Sequence, residues 1–203
     1  MRVFIHGWGF DNSVFSCISK EEDINLELPG HGNAINSLEE AASFYSKVLK
    51  DYKSVEIIGW SMGASLGIML TQRLKSVTSL RLIGFSPYFK EAHDKITISA
   101  FIRTMKKDFY KGIKEFRKNA YHSEFNGEYP IKDIALSILE EYINLDLREA
   151  VKNLDIPIKL IQGENDIVVP MQEACKTKEL NGKIDIFLYK GGHFPAIQVL
   201  KEL

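Results

Sequence analysis

Cysteine is scarce in this chain: Cys17 and Cys175 stand alone among 203 residues, and neither sits in a CxxC or other ligand spacing. A disulfide scaffold and a cysteine metal site are therefore not expected. Two free, mostly buried thiols in a reducing compartment are. No apolar run exceeds the length of a strand, so no transmembrane helix is expected. The net charge is only −1, which gives no bulk attraction to nucleic acid or to an anionic membrane. Histidine is sparse too, and no pair has metal-ligand spacing, so neither a metal nor another cofactor is implied. There is no internal repeat and no low-complexity tract. Met1-Arg2-Val3-Phe4-Ile5 runs straight into His6-Gly7, leaving no room for a signal peptide before the first strand. A cytoplasmic, monomeric protein is the expectation.

What is present is an ordinary globular composition, 45% hydrophobic and 26% charged, long enough for one domain with an insertion. Strand-like runs at Val3–His6, Ile24–Leu28, Val55–Ile58, Leu80–Gly84, Ile158–Gln162 and Ile184–Tyr189 alternate with helical patterns. The helical patterns cover Leu38–Lys50, Met62–Leu74, Met171–Leu180 and Phe194–Leu203. Strands that are apolar throughout, separated by helices, predict an α/β fold with a mostly parallel sheet covered on both faces. Loops at the carboxyl ends of those strands are then the place for a site.

The alternation stops between residues 86 and 153. That stretch reads as a helical cap inserted between two parts of the core, 1–85 and 154–203. A helix-like segment runs from Thr97 to Tyr121, with Ile98, Ile102, Met105, Phe109, Ile113, Phe116 and Ala120 on one face. Arg103, Lys107, Lys111, Lys114 and Lys118 form a second stripe, with Lys106 and Arg117 at its margin. Gly112 marks a possible break, because glycine is a poor helix former.

The chemistry is concentrated in Gly59-Trp60-Ser61-Met62-Gly63, which follows the apolar run Val55–Ile58 and precedes a helix. Strand, sharp turn and helix together lift a serine hydroxyl clear of the backbone above a sheet. Gly63-Ala64-Ser65-Leu66-Gly67 fits the same pattern, but it lies one turn into the helix, where Ser65 reads as a small packing residue. Ser61 is thus the candidate nucleophile, and it needs a base. His193, in the glycine-rich Lys190-Gly191-Gly192-His193 after the last strand, fits that role, and Asp166 after the preceding strand fits as its orienting partner. Glu164 is a weaker alternative to Asp166. His6 and His31 read as loop-shaping residues, and His93 and His122 as surface residues. The backbone N–H groups of Met62 and of Trp8, in His6-Gly7-Trp8-Gly9, are the candidate oxyanion donors.

The order of these motifs, with Leu28-Pro29-Gly30-His31-Gly32 and Val168-Val169-Pro170 between them, resembles the α/β-hydrolases over nearly the whole chain. His-Gly-Trp-Gly and Gly-Trp-Ser-Met-Gly resemble more narrowly the pimeloyl-acyl-carrier-protein methyl ester esterases of biotin synthesis. That resemblance implies a Ser61–His193–Asp166 serine esterase that cleaves a methyl ester from a carrier-bound acyl chain. It also implies an acidic acyl-carrier protein as partner, received by the cap through Arg103, Lys107, Lys111, Lys114 and Lys118. Trp8, Phe109, Ile113 and Phe116 would contact the acyl chain. The chain departs from that family in being short, in lacking the antiparallel hairpin that opens the sheet, and in using mostly lysine on the cap. A menaquinone-pathway lyase, a C–C bond hydrolase or a short-chain esterase of the same fold are alternatives, as is a non-catalytic receptor. The lyase is disfavoured by Ala64-Ser65, where an arginine is usual.

Overall fold

The computed structural model describes residues 1–202. Six strands, β1 (Arg2–Ile5), β2 (Ile24–Leu26), β3 (Val55–Trp60), β4 (Val77–Ile83), β5 (Ile158–Gly163) and β6 (Ile184–Tyr189), form one sheet in the order β2-β1-β3-β4-β5-β6. Every neighbouring pair is parallel. Among the described residues the sheet has no antiparallel strand. The strand order reverses at β1, whose successor β2 lies on one side and β3 on the other. In parallel sheets such a reversal opens a crevice at the carboxyl ends of the strands. Here it falls between the loop that carries Trp8 and the turn that carries Ser61.

Helices α1 (Leu38–Leu49), α2 (Met62–Thr71), α7 (Gln172–Leu180) and α8 (Ile197–Lys201) belong to the α/β part of the chain. The start of α1 is set by Ser37, whose Oγ accepts from the Glu40 amide at 3.0 Å. Helix α2 is buried from Met62 through Leu70, which is why it carries apolar residues all round. β4 begins at Val77, three residues ahead of the expected start, because Val77 and Ser79 already pair with Val55 and Glu56 of β3 across a register shift. The terminal helix starts at Ile197 rather than Phe194, whose ring is packed 4.4 Å from that of Trp60. The end of the expected helix, Leu203, lies outside the described residues.

Between β4 and β5 the chain forms α3 (Lys95–Lys107), α4 (Phe109–Ala120), α5 (Lys132–Asn144) and α6 (Arg148–Lys152). The single helix expected over Thr97–Tyr121 is two, and the break is at Asp108 rather than Gly112. Asp108 is extended (φ −149°, ψ 92°), and its carboxylate caps α4 by accepting from the Lys111 amide at 3.1 Å. Gly112 lies inside α4, against the Met105 side chain. Ile98, Met105, Phe109, Ile113 and Ala120 are buried all the same, so both helices turn their apolar positions inward. Most of that face joins the main core, which also holds Val3, Ile57 and Leu82 of the sheet.

Two further expectations need correction. Arg117 is not at the edge of an exposed stripe but buried. Its guanidinium donates to the carbonyls of Gly9 at 2.7 Å, Gly127 at 2.9 Å and Glu128 at 2.5 Å. The thiols are free, but Cys17 is only half-buried and Cys175 is exposed. No helix among the described residues is long and apolar enough to cross a membrane.

Candidate active site

Ser61 follows β3 with φ 54° and ψ −119°, and among the described residues it is the one non-glycine with positive φ. Such a backbone persists only where its surroundings fix it. Three contacts do so. The Ser61 amide donates to Ile83 O at 2.8 Å, and its carbonyl accepts from Ala64 N at 2.9 Å, which starts α2. A Cβ at Gly63 would stand 2.4 Å from the carbonyl oxygens of Ile5 and His6, so only glycine lets α2 press this closely on β1.

The Ser61–Ile83 bond ties the serine to the end of β4, and the next residue, Gly84, supports an imidazole. Gly84 has φ +54°, and a Cβ there would be 2.8 Å from Nδ1 and Cε1 of His193. Trp60 braces the same residue from the serine's side: its indole N–H donates to His193 O at 3.1 Å, with the two rings 5.5 Å apart. His193 is 1% exposed, and its Nδ1 lies 2.8 Å from Asp166 Oδ2. The carboxylate is itself held on every side. Oδ1 accepts from the amides of Val168 and Val169, each at 2.8 Å, and Oδ2 also accepts from Gln162 Nε2 at 3.2 Å. Glu164 is exposed and takes no part. Among the described residues, His193 Nε2 is buried without a hydrogen-bond partner. The imidazole–carboxylate pair is thus formed, whereas the bond from Ser61 to Nε2 is not made in the resting arrangement. Catalytic contacts of this kind often tighten only when substrate binds.

The loop after β1 bends through a Phe10 N–Gly7 O bond of 3.2 Å. Its Gly9 amide donates to His31 Nε2 at 2.9 Å, while His31 Nδ1 lies 2.8 Å from Pro29 O. These partners fix the neutral tautomer with the proton on Nδ1. The Trp8 and Met62 amides, by contrast, have no acceptor among the described residues. The Trp8 indole donates to Ala135 O of α5 at 2.9 Å and packs edge-on to Phe101 and Phe116. The loop is therefore pinned from below by His31 and from above by the inserted helices.

Burial, reinforced by the nearby His6, pushes the His31 pKa down from 6.5 to about 3. The unfolded chain binds the proton near pH 6.5, the folded one only near 3, so unfolding takes up a proton between those values. This part of the stability is complete above about pH 6.5 and is lost as the pH falls toward 3, about 5 kcal/mol in all. The thermal midpoint is expected to fall steeply from pH 6.5 to 4. His31→Gln, less stable at pH 7, should lose much less over that range, and equal slopes for the two proteins would refute the assignment.

An apolar cavity of about 360 Å³ lies under α3 and α4, lined among others by Phe89, Ile98, Phe101, Met105, Phe116 and Val168. Val168 belongs to the loop that holds Asp166. His93 also lines this space and donates from Nε2 to Val168 O at 2.9 Å, so it is no plain surface residue. Phe116 faces the cavity, whereas Phe109 and Ile113 sit in the core beside it, 2% and 0% exposed. Ile113 and Phe116 also lie over Gly9, where a Cβ would meet each in ordinary contact at 3.5 Å. Arg103, Lys107, Lys111, Lys114 and Lys118 are all exposed, the first two on α3 and the others on α4. Lys118 is paired with Glu115 at 3.0 Å, and Lys106 with Glu140 at 2.5 Å.

The family described as Serine hydrolase (FSH1) matches residues 6–198. A protein of Wigglesworthia glossinidia brevipalpis named pimeloyl-[acyl-carrier protein] methyl ester esterase is 27% identical, over 96% of this chain and 87% of its own. Its namesake from Vibrio vulnificus (strain CMCP6) is 24% identical, over 96% and 88%. Among solved structures, a hydrolase from Oleispira antarctica superposes with a TM-score of 0.80 at 14% identity, over 95% of this chain and 83% of that one. An esterase from Exiguobacterium antarcticum gives 0.78 at 18%, over 95% and 84%. These are α/β-hydrolase folds, and the six-stranded parallel sheet with its serine turn is the same fold here. With nearly its whole length matched, this chain belongs to the FSH1 serine hydrolase family.

Proposed function

We propose that the protein is a serine carboxylester hydrolase acting on the methyl ester of a pimeloyl-type acyl chain bound to an acyl-carrier protein. The observation that carries the hydrolase reading is the buried His193–Asp166 pair of 2.8 Å, braced by Trp60 and Gly84 beside the strained Ser61 turn. His193 Nε2 takes the Ser61 proton as Oγ attacks the ester carbonyl. The Trp8 and Met62 amides receive the oxyanion, each such donor being worth about 3 kcal/mol in the transition state. His193 returns the proton to the departing methanol. A water then attacks the acyl-enzyme, with His193 again as base, and frees Ser61.

The ester and carrier reading draws support from the two relatives' names and from the exposed cations of the cap, residues 86–153. Lys114 and Lys118 border a polar pocket of about 590 Å³. The apolar cavity beside the Asp166 loop suits a methylene chain. The reading is tested by mixing the purified protein with the methyl ester of pimeloyl-acyl-carrier protein and measuring methanol release. The expected companion result is growth without biotin in a host lacking its own methyl ester esterase. Turnover of a menaquinone precursor alone would overturn it.

Charge reversal separates carrier docking from chemistry. Lys107→Glu, Lys111→Glu and Lys114→Glu together are expected to raise KM for the carrier-linked ester about tenfold or more, while p-nitrophenyl butyrate hydrolysis stays within twofold. Added salt should weaken the first activity alone, since exposed charges are screened over about 10 Å at 0.1 M. Equal losses on both substrates would point to damage to the helices and against docking there.

A further inference from the structure

Tyr142 Oη, Ser65 Oγ and His193 Nε2 are among the buried polar atoms with no hydrogen-bond partner among the described residues. His193 Nε2 is explained by proton transfer. The other two are not, since an unpaired buried hydroxyl is costly and phenylalanine or alanine would pack as well without that cost. Tyr142 stands on α5, with its ring 5.1 Å from that of Phe89. Helix α5 is firmly held: Ala135 O receives the Trp8 indole, and Glu141 Oε2 accepts from the Leu38 amide at 3.0 Å. The phenol is buried in this helix's inner face, and the hydroxyls of Ser61 and Ser65 are its hydrogen-bonding neighbours, although neither is in bonded geometry at rest. Burial raises its pKa, with the charges of Asp166 and Glu173 adding to the effect, so the group stays protonated and keeps a proton to donate to Ser61 Oγ.

We propose that Tyr142 is a catalytic residue whose hydroxyl donates a hydrogen bond to Ser61 Oγ when that oxygen is the leaving atom, in breakdown of the acyl-enzyme. This rests on the serine hydrolase reading and names a residue for its second half. Water adds to the acyl carbonyl and passes a proton to His193. The bond from carbonyl carbon to Oγ then breaks, and His193 returns the proton to Oγ. Tyr142 keeps its own proton throughout and shares it with Oγ as negative charge gathers there. The first half-reaction needs this donor less, because there Oγ is the attacking atom and the departing atom is the ester's own oxygen.

The test is Tyr142→Phe, which keeps the ring against Phe89 and removes only the hydroxyl. With p-nitrophenyl butyrate, steady-state turnover is expected to fall about 10- to 100-fold, as for other single donors to a reacting oxygen. A burst of about one equivalent of p-nitrophenol should precede the slow phase, because acyl-enzyme accumulates. Fluorophosphonate should label Ser61 at a rate within about threefold of wild type. The thermal midpoint should be unchanged or higher, since an unpaired buried hydroxyl has gone. Turnover within twofold of wild type would overturn the proposal, and so would a joint fall in turnover, labelling and thermal midpoint, which marks a packing role. Failure of the wild type itself to label would instead bring down the serine hydrolase reading, and this inference with it.

Discussion

Ser61→Ala is expected to lower ester turnover by about 10⁴- to 10⁶-fold while leaving the fold and the substrate KM nearly unchanged. Alanine removes the only atom that forms the covalent bond, and no neighbour replaces it. Ser65 lies a full turn further along, inside α2, where its buried hydroxyl has no hydrogen-bond partner and so no base. The residual rate reflects binding and the Trp8 and Met62 amides. His193→Ala should cost about as much, and the double variant little more, because base and nucleophile act as one unit. Fluorophosphonate labelling should vanish in Ser61→Ala. Persistent labelling, or a loss below about 100-fold, would place the nucleophile elsewhere. The alanine also has to adopt φ 54°, so a modest drop in thermal midpoint is expected without loss of folding.

The parts of the molecule that sequence made readable are those whose causes are local. A parallel strand buried on both faces is a short apolar run, so all six strands are visible in the sequence, although the ends of five of them shift, most of all the start of β4 at Val77. The serine turn was visible because the glycines that permit it are its immediate neighbours. Asp166 was visible through its place after β5, although the three donors that hold its carboxylate were not. Gln162 looked like one more strand residue until its side chain was seen to turn back on the acid. The inserted helices were read poorly for a different reason. Their apolar positions keep one periodicity across Asp108, so the pattern reports the buried face and is blind to a break. The signal was an aspartate placed three residues before the amide it caps.

Arg117 and Tyr142 show the deeper limit. Arg117 sits between lysines at helical spacing, and its burial depends on the Gly9 carbonyl, 108 residues away in sequence. Nothing near it distinguishes it from Lys114 or Lys118. Tyr142 likewise falls on an apolar helical face where an aromatic ring is expected to pack, and only tertiary placement sets its hydroxyl beside Ser61. The indoles follow the same rule: both tryptophans belonged to recognisable motifs, but their N–H donors reach His193 and Ala135 across the fold. Residues of this kind couple the inserted helices to the sheet, so they belong to the site as much as the motif residues do.

Asp166→Asn should cost about 10⁴-fold in kcat with only a small change in KM, and the reason lies in the four donors around the acid. The amides of Val168 and Val169, Gln162 Nε2 and the His193 Nδ1–H all point at oxygen. An asparagine offers one carbonyl oxygen and one NH₂ to these donors. With its oxygen toward the two backbone amides, which cannot move, its NH₂ faces His193. The imidazole then accepts through Nδ1 and carries its proton on Nε2, the nitrogen that must receive the Ser61 proton. The base is thus occupied in the resting enzyme, and no carboxylate remains to stabilise the imidazolium of the transition state. Fluorophosphonate labelling should slow in parallel, because it needs the same proton transfer. Asp166→Glu offers a contrast: it keeps the charge but cannot fit the same amides, so it should lose thermal stability as well as rate. If Asp166→Asn retained more than about a tenth of wild-type kcat, the pair at 2.8 Å would be structural and another acid would have to orient the base.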